Sequence, residues 1–146
     1  MFYTNLITNN AEERFKSMHS EIIMYFQCIE HDMKRIYSGM SADDYYDCMD
    51  ELDGKNWGVI LNKLRKLDNS DNDPYFSDEE YEQLDAIREQ RNYWCHQCYL
   101  DYVYIHDNYE QQRVLEKLCR RLENEKNRAY KLHRKMQDIY LNDFCD

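Results

Sequence analysis

Apolar residues recur at intervals of three and four along most of the chain, which is the spacing of an amphipathic helix. This spacing predicts a first helix over residues 11–38, which Asn10 would cap and Gly39 would end. Its inward positions would be Phe15, Met18, Ile22, Tyr25, Phe26, Ile29, Met33 and Ile36. Two shorter helices are predicted at residues 41–52, capped by Ser41, and at about residues 56–67.

Two more long helices are predicted in the second half of the chain. A capping box, Ser77-Asp78-Glu79-Glu80, follows a polar loop at residues 68–74 and begins a helix that would continue to about residues 106–108. The last helix, at about residues 109–141, repeats in sevens. Its two seam positions are Leu115, Leu122, Ala129 and Met136, and Leu118, Glu125, Leu132 and Ile139.

These elements predict one all-α domain over residues 1–146, an antiparallel bundle of four to five helices. Composition supports this prediction, since the chain has only 3 glycines and 1 proline. The net charge of -10 argues against a broad surface for nucleic acid. Positive charge is nevertheless concentrated at residues 113–135, so an anionic ligand would prefer the later helices.

Six cysteines are present, but a helical chain of this length does not need disulfides, and we expect free thiols. The sequence contains no recognisable signal peptide and no apolar run that approaches the length of a membrane span. We therefore expect a cytoplasmic protein with no membrane contact.

The stretch from Leu84 to Ile105 carries the candidate chemistry. At about 100° per residue, one stripe of this helix contains Leu84, Ile87, Trp94, Cys95, Cys98, Tyr102 and Ile105. Arg91 falls near the middle of the stripe, where it would be expensive to bury without a partner. We expect it to meet either an anionic ligand or a carboxylate of the first helix, where Glu21, Glu30 and Asp32 are available.

Asn92 and His96 lie one turn apart on a second face of the same helix. Arg91 and His96 point about 140° apart on an ideal helix, so one helix would not easily aim both at one small target. The long arginine side chain, or a second copy of the helix in a symmetric dimer, would bring these groups to one groove. An imidazole, a guanidinium and an amide are the groups that metal-independent RNA cleavage needs.

The hexapeptide Arg91-Asn92-Tyr93-Trp94-Cys95-His96 resembles the R-x4-H motif of HEPN domains. HEPN domains are all-α dimers found in toxins, phage-defence proteins and ribonucleases, with the motif on a late helix of the bundle. The resemblance implies that Arg91 and His96 are a catalytic pair, that Asn92 supports them, and that the cleft forms in a homodimer. It also implies an endoribonuclease that leaves 2′,3′-cyclic phosphate, needs no cofactor or metal, and has RNA or a nucleotide as substrate and an antitoxin as partner.

One position departs from the pattern. Toxins of this group that are modified by a nucleotidyltransferase carry a tyrosine two residues after the histidine, whereas this chain has Cys98 there and Tyr99 one residue later. The resemblance to that subgroup of toxins is therefore incomplete.

The main alternative function is a non-catalytic helical dimer module that binds a nucleotide or a protein, with Arg91 in a structural role. A zinc site at Cys95 and Cys98 lacks further ligands at suitable spacing. A metal-dependent nucleotide hydrolase of the helical-bundle type usually has repeated carboxylates that face inward, and we find no convincing set of these in the sequence.

Overall fold

The computed structural model describes the backbone of residues 2–145 and the side chains of residues 10–145. Over this range the protein is helical and contains no β-strand, so the all-α prediction is confirmed. The elements are α1 (Phe2–Met40), α2 (Tyr45–Leu52), α3 (Trp57–Asp68), α4 (Asp78–His96), α5 (Leu100–Val103) and α6 (Asn108–Ile139). A π-helical turn, Tyr140–Phe144, follows α6 directly.

Four of these helices, α1, α3, α4 and α6, form the bundle. Contacts between α4 and α6 run in opposite chain directions, since Glu80 near the start of α4 binds Lys135 and Trp94 near its end binds Glu125. Side-chain contacts between α1 and α4 also run in opposite chain directions. Helix α4 is therefore antiparallel to both α1 and α6, and the ion pairs between α1 and α6 show that these two helices run parallel to each other.

The core lies between these helices and contains most of the predicted apolar positions. All eight seam positions of α6 are buried, including the one acid, Glu125. Its carboxylate accepts a hydrogen bond of 2.5 Å from Trp94 Nε1 and forms an ion pair of 3.3 Å with Arg121. A buried carboxylate needs such partners, so the polar interruption of the seam joins α6 to α4.

Several helix ends differ from the sequence-based prediction. Helix α1 extends beyond residues 11–38 at both ends, so Asn10 lies inside it and Gly39 does not end it. Helix α2 is capped by Asp44, whose carboxylate accepts the N–H groups of residues 46 and 47, and Ser41 is not the cap. The carboxylate offers a charged acceptor to the first turn, which is a stronger interaction than a serine hydroxyl provides. The capping box at Ser77 is confirmed.

The predicted continuous helix from the Ser77 capping box to about residues 106–108 is wrong, because α4 ends at His96. The N–H groups of Gln97 and Cys98 both donate to the Tyr93 carbonyl, which turns the chain before α5 begins. The turn places the rings of Tyr99 and Tyr102 each 5.6 Å from the ring of Phe15 on α1. The aromatic packing gained this way offsets the lost helical hydrogen bonds.

Asp68 lies at the end of α3 and not in the loop, and it is buried. Its carboxylate accepts the N–H groups of Tyr75 and Phe76 at 2.8 and 3.1 Å and the Tyr81 hydroxyl at 2.5 Å. The side chain thereby fixes the loop between α3 and α4. Within the described range, none of the helices is long and apolar enough to cross a membrane. All six cysteines are free thiols, as predicted.

Candidate active site between helices α3 and α4

An open cleft of about 470 Å³ lies between α4 and the start of α3, and we call it the α3–α4 cleft. Its lining residues are Asn56, Trp57, Arg88, Arg91, Asn92, Cys95 and His96. All three sequence-predicted site residues, Arg91, Asn92 and His96, therefore border the same space in a single chain. Sequence reasoning missed Arg88, Asn56 and Trp57 as parts of this site.

The five cleft residues on α4 form one helical face. Their spacing of i, i+3, i+4, i+7 and i+8 spans a stripe about 140° wide. Arg91 lies at one edge of the stripe and His96 at the other, which is the separation that the helical wheel gives. Arg88 lies near the middle of the stripe, together with Asn92 and Cys95. Arg91 and His96 thus border the cleft from opposite edges of this face. The expectation that one helix would not easily direct both at one small target stays a prediction.

Arg91 is not a core residue, since 38% of its side chain is exposed. Its Nη1 donates a hydrogen bond of 2.6 Å to Glu30 Oε2 on α1, one of the three carboxylates proposed from the sequence. Glu30 also lies 4.0 Å from the Lys34 ammonium, so one carboxylate faces two cations. The guanidinium carbon of Arg91 lies 5.3 Å from the Trp57 ring centroid, within the range of a cation–π contact.

Helix α3 forms the opposite wall of the cleft. Trp57 is buried, and its Nε1 donates a hydrogen bond of 2.9 Å to the Leu84 carbonyl, which fixes the first turn of α3 against α4. Asn56 caps α3 by accepting the Val59 N–H at 3.0 Å. Because the cap and the indole hold this turn in place, the wall of the cleft is a rigid element and not a loop.

His96 and Asn92 are both exposed to solvent at the cleft. His96 is the last residue of α4, and the turn that follows is held by Asp101. The Asp101 carboxylate accepts hydrogen bonds of 2.7 Å from the Tyr93 hydroxyl and 3.0 Å from Gln97 Nε2. These two hydrogen bonds, that from Tyr93 above all, lower the pKa of Asp101. Burial and the same Asp101 contact raise the pKa of Tyr93.

The two cysteines of this region have different surroundings. Cys98 is buried and its Sγ lies 3.2 Å from the Trp94 carbonyl, while Cys95 is exposed in the lining of the cleft. Burial raises the pKa of the Cys98 thiol to about 11, which opposes the thiolate form that zinc requires. Among the described residues, no group of three or more histidine, cysteine or acidic side chains is placed to hold a metal ion.

The charge of the cleft differs from that of the whole chain. Its lining includes two arginines and one histidine and no aspartate or glutamate, although the chain has a net charge of -10. Arg88 makes no hydrogen bond or ion pair with any residue whose side chain is described. Of the two cleft arginines, Arg91 is paired with Glu30, so the positive charge open to a ligand lies chiefly on Arg88. The cleft presents guanidinium, imidazole and amide groups, which are groups that bind phosphate and transfer protons.

A signal for Arg88 is present in the sequence. Arg88 precedes Arg91 by three residues, Asn92 by four and His96 by eight, so the helical period alone places it on the same face. No such signal exists for Asn56 and Trp57, because their position depends on how α3 packs against α4. Comparisons of the chain with protein-family models, with curated proteins and with solved structures found no match.

Proposed function

We propose that the protein is a HEPN-like, metal-independent endoribonuclease whose active site is the α3–α4 cleft. The observation that carries the proposal is that Arg91, Asn92 and His96 line one open, acid-free cleft. The resemblance of residues 91–96 to the R-x4-H motif adds to it. Two further features of the cleft fit a phosphate ligand, namely the positive charge of its two arginines and the exposure of Asn92 and His96, beside the partly exposed Arg91.

In this proposal each residue has one role. His96 takes the proton from a ribose 2′-hydroxyl, and the 2′ oxygen forms a bond to the adjacent phosphorus while the bond from phosphorus to the 5′ oxygen breaks. Arg91 stabilises the charge on the phosphate, and Asn92 orients it through its amide. The products are a 2′,3′-cyclic phosphate and a 5′-hydroxyl. The leaving 5′ oxygen needs a proton, which a protonated His96 of a second subunit would supply.

A homodimer would bring that second histidine to the cleft. Exposed apolar side chains follow His96 within eight residues, with Leu100, Val103 and Tyr104 each more than half exposed. Apolar groups concentrated in this way are commonly covered by a partner, and a second copy of the chain is the partner we propose. By the same resemblance, the protein would act in a cytoplasmic toxin or phage-defence system in which an antitoxin blocks the cleft.

The test is a cleavage assay on end-labelled RNA in excess chelator, with the DNA of the same sequence beside it. The parent should cut RNA but not DNA, because only RNA has the attacking 2′-hydroxyl, and the new ends should be 2′,3′-cyclic phosphates. His96→Ala should reduce the rate by at least about 100-fold, the scale of a lost general acid or base. Arg91→Ala should reduce it by a similar factor.

Matched controls exist on the same chain. His106→Ala removes an exposed histidine outside the cleft, and Arg128→Ala removes an exposed arginine on α6. Both should cleave RNA like the parent. Equal cleavage by the parent and by either cleft variant, with unchanged helicity, would refute the assignment of that residue. Activity that requires a divalent cation would refute the metal-independent mechanism and favour a metal-dependent hydrolase.

One observation favours a second candidate, a non-catalytic dimer module that binds a nucleotide or a protein partner. Arg91 already has a short hydrogen bond to Glu30, which a purely structural arginine would also form. This candidate predicts that the parent leaves RNA intact while it binds a nucleotide or a partner, and that Arg91→Ala mainly lowers stability. Cleavage by the parent and not by His96→Ala would exclude it.

A further inference from the structure

Arg88 occupies the middle of the cleft face of α4, yet neither the motif nor the proposed chemistry uses it. It lies one turn before Asn92 and three residues before Arg91, so its side chain emerges between the two edges of the face. It is exposed and makes no polar contact with any described side chain. A cation held in a cleft without a carboxylate partner is available for an anionic ligand.

Gly58 leaves space for the Arg88 guanidinium against the start of α3. A Cβ atom at position 58 would be 2.9 Å from Arg88 Nη1 and 4.0 Å from its Cζ, so the guanidinium rests directly over the backbone of α3. Asn56 Oδ1 lies 3.6 Å from the same point. Glycine is unfavourable inside a helix by comparison with alanine, and here its missing side chain leaves room for the arginine.

We infer that Arg88 is a second phosphate-binding residue, which holds the phosphate adjacent to the one that Arg91 and His96 would act on. This inference rests on the proposed function, since it takes the scissile phosphate to lie at Arg91. Residues three apart on a helix have Cβ atoms about 5–6 Å apart, so the two arginine side chains begin close enough together for each to contact one of two neighbouring phosphates of a strand. The favoured substrate is therefore an RNA strand with consecutive phosphates, bound along the groove between α3 and α4.

Two substrates separate this role from catalysis. A dinucleoside monophosphate has one phosphate and cannot use a second site, whereas an oligoribonucleotide can. For Arg88→Ala, the ratio of kcat/KM for the oligoribonucleotide to that for the dinucleoside monophosphate should fall about tenfold, through KM, for one lost charge-assisted contact. Arg128→Ala carries the same charge change outside the cleft and should keep the parent ratio. An unchanged ratio in Arg88→Ala overturns the inference.

Gly58→Ala tests the placement of Arg88 without changing any charge. The added methyl group would displace the flexible end of Arg88, while alanine is favoured over glycine within a helix, so the fold should be retained. The ratio of kcat/KM for the oligoribonucleotide to that for the dinucleoside monophosphate should fall, as in Arg88→Ala, but by a smaller factor. The melting temperature should be unchanged or higher. If Gly58→Ala binds and cleaves the oligoribonucleotide like the parent, the position assigned to the guanidinium is wrong.

The deciding measurement is the affinity for a fluorescent, 2′-O-methylated oligoribonucleotide, which cannot be cut, followed by anisotropy over a salt series. The slope of log Kd against log salt should fall by about 0.7 in Arg88→Ala, the amount for one contact to a single-stranded phosphate. If the parent binds with this Arg88-dependent slope but cleaves no RNA, the phosphate site stands and the ribonuclease proposal fails. If the parent cleaves RNA and Arg88→Ala keeps the parent slope, the ribonuclease proposal stands and the Arg88 site fails.

Discussion

Whether Arg91 is a structural residue or a functional one can be decided from its contribution to stability. The Arg91–Glu30 pair is partly solvated, with 38% and 28% of the two side chains exposed. An ion pair of this exposure contributes about 0.2–1 kcal/mol. The contact with Trp57 at 5.3 Å adds about 0.5–1 kcal/mol. Arg91→Ala should therefore destabilise the protein by about 1–2 kcal/mol, whereas breaking a fully buried pair costs about 3–5 kcal/mol.

The assay is urea unfolding of the parent, Arg91→Ala, Glu30→Gln and the double variant, followed by circular dichroism. The double-mutant cycle isolates the pair energy, which we expect to be below about 1 kcal/mol. Glu30→Gln should cost less than Arg91→Ala because the Trp57 contact remains. The slope of the unfolding free energy against urea should be the same in all four proteins, which shows that the unfolded state is comparable.

Two results would refute this reasoning. A loss above about 3 kcal/mol for Arg91→Ala would mean that the pair behaves as buried and that Arg91 holds the bundle together. A coupling energy near zero, together with a large loss of unfolding free energy in Arg91→Ala, would mean that Arg91 stabilises the fold through Trp57 and not through Glu30. If the loss of unfolding free energy is about 1–2 kcal/mol, Arg91→Ala stays folded. Any loss of RNA cleavage in this variant is then due to the missing guanidinium in the cleft and not to unfolding.

Two further predictions concern a buried aspartate, Asp68, and an exposed one, Asp101. Asp68→Ala should lower the unfolding free energy by about 3 kcal/mol or more in the same urea assay, because two N–H groups and the Tyr81 hydroxyl lose their acceptor; a loss below about 1 kcal/mol would show that water replaces the carboxylate. Asp101 has a lowered pKa in the folded protein, so its stabilising effect is present above its ordinary pKa of 3.8 and is lost as the pH falls through the lower folded-state value. Asp101→Asn should therefore reduce the acid dependence of the melting temperature in that range, and an unchanged acid profile would contradict the role of the Tyr93 contact.

The sequence was sufficient for the helical elements that have a clear period or a clear cap. The heptad of α6 placed all eight seam residues correctly, and the capping box placed the start of α4. The largest error of the sequence-based prediction, the length of α4, has a tertiary cause. The end of α4 at His96 has no glycine or proline to mark it, and packing of Tyr99 and Tyr102 around Phe15 ends the helix there. Local sequence does not encode a break that distant contacts produce.

Part of the candidate site could be predicted from the sequence, and the rest depends on tertiary packing. Arg91, Asn92 and His96 were singled out from the sequence, because a short motif on one helix keeps its residues close together whatever the rest of the fold does. The other wall of the cleft was decided only by the tertiary structure, since Trp57 fixes the start of α3 against α4 through the Leu84 carbonyl. The exposure of Arg91 was likewise set by tertiary packing. The helical wheel placed it toward the core, but Glu30 on α1 holds its guanidinium at the surface, where a charged group keeps part of its hydration.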